Sequence, residues 1–111
     1  GDIEDIMLSS KTALPLGLIV NELATNAVKH GFSDDTPACF SIEFKKNINA
    51  SEYFLAVTNT GNKCPEDIDM ENPRTLGLQL INSLVAQLNG RIQLTRVPEC
   101  SFLIHFPKET K

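Results

Sequence analysis

The sequence predicts an α+β domain: a two-layer α/β sandwich with two helices on one face of a mixed, mostly antiparallel sheet. Two stretches carry apolar residues at helical spacing. Each is followed by a pair of short alternating stretches that reads as a hairpin of antiparallel strands. The chain has 111 residues, 41% hydrophobic and 22% charged, which suits one domain with one core spanning residues 1–111.

The opening "DIEDIMLSS" holds a short strand with Ile6 and Leu8 on one face. Ser10 can cap the helix that follows, and Pro15 is tolerated near a helix start. From Thr12 to His30 the pattern is helical. Leu16, Val20, Leu23, Ala24, Ala27 and Val28 form one apolar arc, and Gly31 stops it. "GFSDDTPA" is a turn-rich loop. In "CFSIEFKKNI" Phe40, Ile42 and Phe44 alternate with Ser41, Glu43 and Lys45, as in a half-buried strand. "NAS" turns the chain into "EYFLAVTN", completing the first hairpin. "TGNKCPEDIDMENPRT" has no apolar period and is a long loop, of the kind that is functional or mobile. "LGLQLINSLVAQLNG" is the second amphipathic helix, ended by Asn89 and Gly90. "RIQLTRV" and "SFLIHF" are two more strands around the turn "PEC".

The net charge of -4 comes with scattered Lys and Arg, which excludes nucleic-acid binding through a basic surface. The apolar runs are too short to span a membrane, and no targeting signature is present. A cytoplasmic location without direct membrane contact is expected. The three cysteines, Cys39, Cys64 and Cys100, are widely spaced and odd in number, so reduced structural thiols are expected. Gly1 reads as a tag remnant, and the abrupt ends read as those of an excised domain.

Three features could carry chemistry. In "NELATNAVKH" Glu22, Asn26, Lys29 and His30 share the polar side of the first helix, with Glu22 and Asn26 about 40° apart in projection. An Asn oxygen can ligate Mg²⁺, a Lys can neutralise phosphates, and a Glu can accept a proton or hold a water. In "TLGLQL" Thr75 and Gly77 open the second helix, whose N-terminal N–H groups suit an anion. In "VTNTGNK" Asn59 ends a strand before Gly61, where an amide could read a purine edge. Each has a plainer reading: a solvated helix face, an ordinary helix start, an Asn and Gly turn.

Their order along the chain is less ordinary. It resembles the ATP-binding fold shared by gyrase-type ATPases, Hsp90, histidine kinases and MutL. "LPLGLIVNELATNAVKHGF" and "TLGLQLINSLVAQLNGRIQL" are most similar to the catalytic domain of sensor histidine kinases, in the branch with N-E-L-x-x-N-A-x-K-H and a glycine box reduced to L-G-L. The resemblance runs from Ile6 to Pro107. It implies an Mg·ATP site in which Asn26 is the metal ligand and Glu22 the catalytic residue that positions or deprotonates the attacking group. Lys29 and His30 would face the phosphates. Residues 62–74 would form the ATP lid, with Arg74 a phosphate contact, and Gly77 would present amides to the phosphates. Ser101 would join the adenine hydrogen-bond network.

The resemblance also implies transfer of the γ-phosphoryl to a histidine on an upstream dimerisation and phosphoacceptor domain, and from there to a response regulator. His30 is not that acceptor, and His105 reads as structural. Two departures bear on adenine recognition. Asn59 and Lys63 stand where the family has aspartate and glycine, and "PEC" lacks the usual glycine. They raise a rival expectation, a degenerate module that regulates or docks without turnover.

Overall fold

A computed structural model describes residues 8–30, 39–47, 51–60, 64 and 66–108. The elements run α1 (Ser10–His30), β1 (Cys39–Asn47), β2 (Glu52–Thr60), α2 (Leu76–Gln87), β3 (Arg91–Thr95) and β4 (Cys100–Pro107). The sheet order is β1-β2-β4-β3, and all three described pairings are antiparallel. The expected strand around Ile6, the loop at 31–38, Gly61 and Lys63 lie outside the described residues.

Strand alternation builds the core. Tyr53, Leu55, Val57 and Asn59 are buried along β2, and Cys100, Phe102, Ile104 and Phe106 along β4. Both strands are interior, so their buried faces lie under the helices. From α1 come Leu16, Ile19, Leu23 and Ala27, and from α2 Leu78, Ile81, Leu84 and Val85. Ile19, Val57, Ile81 and Ile104 have no accessible surface at all. β1 is an edge strand. Its Phe40 and Phe44 pack on the core, but Ile42 on the same face keeps 50% of its surface exposed. Phe44, Tyr53 and Phe106 close one end of the sheet, with ring centroids 5.5–6.0 Å apart.

The helix ends differ in part from expectation. Ser10 is already helical. The carbonyl of Ser9 accepts from the amides of Thr12 (3.1 Å) and Ala13 (2.9 Å). The earlier start puts Pro15 inside the helix, where its missing N–H leaves the Lys11 carbonyl without its helical donor. α2 starts on Thr75, whose φ of -104° and ψ of 156° are extended and whose side chain accepts from the Leu78 amide at 3.1 Å. This is an N-cap. α2 ends as the sequence predicts. Asn89 takes a left-handed φ of 57°. The amides of Asn89 and Gly90 then reach back to the carbonyls of Ala86 and Val85, both at 3.0 Å. This is the Schellman arrangement.

Gly90 then meets β4 closely. A Cβ there would lie 2.4 Å from the His105 carbonyl oxygen and 3.1 Å from the Phe106 Cβ. Gly17, exposed on α1, would place a Cβ with nothing within 4 Å. The two glycines therefore predict opposite outcomes. Gly90→Ala should destabilise by about 1–3 kcal/mol through overpacking against a fixed strand. Gly17→Ala should stabilise by up to about 1 kcal/mol through helix propensity. Urea denaturation of both variants checks this, and a neutral Gly90→Ala would contradict the close packing of α2's exit on β4.

Candidate functional site

α1 and α2 run antiparallel. The first turns of α1 share a cavity with the end of α2, while Glu22, late in α1, meets the start of α2. A Cβ on Gly77 would fall 2.8 Å from Glu22 Oε2. The glycine is what allows the carboxylate to lie across the first turn of α2. The atom in the way is the far end of a flexible side chain, so the constraint falls on where Glu22 sits rather than on the fold. Asn26, one turn further along the same helix side, is half-buried. The amides of Leu76 and Gly77 are in the first turn, which has no intrahelical acceptors to offer them.

The second wall is the sheet at the end of β2. Asn59 is 8% exposed, and its Oδ1 is buried without any hydrogen-bond partner among the described residues. A buried acceptor left unsatisfied costs about 1–3 kcal/mol and calls for a reason. Its neighbour across the ladder is Cys100, on the same helix-facing side. Ser101 is paired instead with Thr58 on the opposite face of the sheet, where the two hydroxyl oxygens lie 2.6 Å apart. The structure therefore does not bring Ser101 to Asn59. A one-residue step along a strand reverses the face, and Cys100 holds the position that the sequence reading gave to Ser101.

The segment between β2 and α2 is tied down at its described positions. Asp69 Oδ1 accepts from the amides of Glu71 (2.9 Å) and Asn72 (3.2 Å). Asn82 Nδ2 donates to the Met70 carbonyl at 2.7 Å, and Gln79 Nε2 to that of Pro73 at 3.2 Å. The Arg96 guanidinium donates to the Ile68 carbonyl. Cys64, Ile68 and Met70 pack against the core. The expectation of reduced cysteines is corrected for two of the three. Cys64 and Cys100 form a disulfide, with Cα atoms 4.9 Å apart, while Cys39 is free and exposed. The sequence gap of 36 residues hid the pair, because only the fold brings the start of the loop beside the start of β4.

The structure thus brings Glu22 and Gly77 together and places Asn59 at the end of the helix-covered face of the sheet. Thr75 spends its hydroxyl on the α2 cap, and Arg74 beside it is exposed. The side chains of Lys29 and His30, and all of Gly61, lie outside the described residues. The cavity of about 600 Å³ at the opposite end, lined by Lys11, Gln87, Asn89 and Lys108 among others, involves none of the candidate residues. Among the described residues no cluster of three His, Cys, Asp or Glu could hold a metal by itself, and no helix is long and apolar enough to cross a membrane.

Comparison with known proteins matches this geometry to one family. The profile of the histidine kinase-, DNA gyrase B- and HSP90-like ATPases matches residues 11–110. Blue-light-activated histidine kinase 2 of Erythrobacter litoralis is 32% identical over 87 residues, covering 78% of this chain and 25% of that protein. The sensor histidine kinase PdtaS of Mycobacterium tuberculosis is 31% identical over 87 residues, covering 78% and 17%. The chain thus spans a quarter or less of these relatives. Among solved structures, the histidine kinase domain of an Erythrobacter litoralis blue-light activated histidine kinase superposes with a TM-score of 0.81 at 27% identity, covering 94% of this chain and 51% of that one. The histidine kinase AdeS of Acinetobacter baumannii shares the fold, with a TM-score of 0.67 at 17% identity over 87% of this chain and 47% of that one. The chain belongs to the histidine kinase-, DNA gyrase B- and HSP90-like ATPase family, as an ATP-binding domain of the histidine kinase type.

Proposed function

We propose that this domain binds Mg·ATP between α1, the start of α2 and the end of β2, and presents the γ-phosphoryl to a histidine on a separate phosphoacceptor domain, from which a response regulator receives it. The observation that carries the reading is the buried, unpartnered Oδ1 of Asn59. An adenine amino group supplies the donor that this oxygen lacks. A guanine would set its own carbonyl oxygen there, acceptor against acceptor. Among the described residues nothing favours the docking-only alternative.

Each residue has a physical role in this reading. Asn26 offers a carbonyl oxygen to a cation, and its half-buried position limits competition from water. Mg²⁺ supplies charge neutralisation on the phosphate oxygens and prefers few protein ligands. Glu22 already holds its carboxylate at the start of α2, the positive end of the helix dipole. A phosphate brought to the same turn would meet that negative charge, which a cation held by Asn26 would offset. Glu22 then orients or deprotonates the incoming imidazole. Gly77 keeps that carboxylate in place by offering no side chain, and the first amides of α2 face the phosphates. Lys29, His30, Gly61 and Arg74 complete the phosphate side, and Thr75 holds the turn that presents the amides. Catalysis by such a set is positioning plus charge stabilisation. A cytoplasmic setting accords with an acceptor domain and regulator on the same side.

Four tests bear on the assignment, with a thiol reductant present throughout. Calorimetry should show binding of Mg·ATP and little binding of Mg·GTP, and equal affinity for the two would remove Asn59 from base recognition. Asn59→Asp should lower the melting temperature of the empty protein, because it buries an unpaired charge. It should then bind Mg·ATP ~10-fold more tightly, since charge-assisted bonds are about twice as strong as neutral ones and 1.4 kcal/mol is a factor of ten.

Asn26→Ala should keep the fold and weaken Mg·ATP far more than free adenosine. An equal loss for both ligands would defeat the metal role.

Gly77→Ala separates stability from function. Alanine suits a helix better by up to about 1 kcal/mol, so the melting temperature should hold or rise while the displaced Glu22 lowers phosphotransfer to a supplied acceptor domain. If phosphotransfer is unchanged, the contact between Glu22 and Gly77 is only packing.

A further inference from the structure

We propose that the cavity at the far end of the helix layer is a second binding site, for a small organic anion: a carboxylate carried on an apolar body. The cavity holds about 600 Å³, within the range of small-molecule sites. It shares no residue with the nucleotide reading, so neither depends on the other.

The cavity forms where α1 begins and α2 ends, and the end of β4 lies between them. Leu88 and Phe106 give it an apolar lining, and they are 8% and 1% exposed. Phe106 is held in turn by Phe44 and Tyr53, with ring centroids 6.0 and 5.5 Å away. Two other lining residues are anchored at the backbone. The Asn89 amide donates to the Ala86 carbonyl at 3.0 Å, and the Lys108 amide to that of Ser51 at 3.2 Å. The lining is therefore in place before a ligand arrives, which lowers the cost of binding.

Lys11 and Lys108 set the sign of the site. Both line the cavity, and no Asp or Glu does. Neither lysine takes part in an ion pair among the described residues. The chain carries 14 acids against 10 bases, so two unpaired ammonium groups on one cavity run against its overall charge. The helix ends do not decide the matter. The positive end of the α1 dipole and the negative end of the α2 dipole meet here, each about half a charge, and they offset. Gln87 and Asn89 add neutral carboxamide donors. An inorganic anion would use the lysines and leave the apolar lining wet. A neutral apolar molecule would cover the lining and leave the lysines unused. The lining suits a molecule with both parts. Exposed ion pairs are individually weak, so the apolar body supplies most of the affinity and the lysines select the charge.

The test titrates naphthoate, and its uncharged analogue naphthylmethanol, into the isotope-labelled chain and follows the amide signals by NMR. Naphthoate should move the signals of Lys11, Leu88, Asn89 and Lys108 and bind in the ~1 mM range, ordinary for a ligand of this size. Naphthylmethanol should bind at the same residues ~10-fold more weakly, the combined worth of two exposed charge contacts. Lys11→Gln together with Lys108→Gln, two exposed positions outside the core, should weaken naphthoate ~10-fold for the same reason. The double variant should leave naphthylmethanol unchanged, which also reports that the cavity has kept its shape. Added salt should weaken naphthoate alone, since it screens exposed charges. Equal binding of the two compounds, or naphthoate binding that survives the double substitution, overturns the anion class. Signals that move at Glu22, Asn59 or Gly77 instead overturn the site, and so does the absence of any response up to the solubility limit of naphthoate.

Discussion

Everything in this domain hangs on one packing arrangement: the buried faces of β2 and β4 pressed against the apolar stripes of α1 and α2. Ile19, Val57, Ile81 and Ile104 lose all their surface there, one from each of the four elements. Burying an aliphatic side chain of this size is worth about 1.5–3 kcal/mol, so these contacts fix how the helices lie on the sheet. The geometry of the site follows. With the two helices antiparallel, the late turns of α1 and the first turn of α2 come to the same end. There the apolar stripe of α1 continues to Ala27 while Glu22 and Asn26 stand beside it. The polar residues are available because the core has already held the backbone in place.

Asn59 shows how the core hands over to the site. It continues the buried series of Tyr53, Leu55 and Val57 along β2, so strand alternation forces it to face inward. An apolar residue would simply extend the core. An amide in that position incurs a desolvation cost unless something donates to it, and nothing among the described residues donates to its Oδ1. Buried polar groups without partners are uncommon in native structures. Here the deficit lies at the edge of the core, in line with Cys100 across the ladder, where a ligand can remove it.

Much of the fold was legible because it is governed by short-range periodicity. The two helices, the two hairpins, the loop before α2 and its Asn89–Gly90 stop all follow from spacing and turn chemistry. What was not legible depends on register and on distance along the chain. Ser10 against Ser9 is a one-residue question at a helix end, where several residues can serve. Ser101 against Cys100 is another, and alternation turns that single step into opposite faces of the sheet. Ile42 reads as a core position from its pattern, yet edge placement leaves it half-exposed, and edge placement is a property of strand order. The disulfide was hidden for the same reason. The contact between Glu22 and Gly77 joins residues 55 positions apart, and only the resemblance pointed to both of them as parts of one site.

The two ends of α2 divide the labour in a way that identifies what stays fixed. Its C-terminal end is locked by the left-handed Asn89, by the two back-reaching amides and by Gly90 pressed against β4. Its buried face is locked by Leu78, Ile81, Leu84 and Val85. A helix held at one end and along its face cannot shift to admit a ligand at its other end. The described part of the segment that precedes Thr75 is held in a different way. There the described backbone is tied by side-chain hydrogen bonds rather than by a ladder, and its apolar contribution is confined to Cys64, Ile68 and Met70. α2 is therefore the fixed wall of the candidate site, held by its packed face and by its C-terminal cap, and its first turn keeps the position that the core gives it.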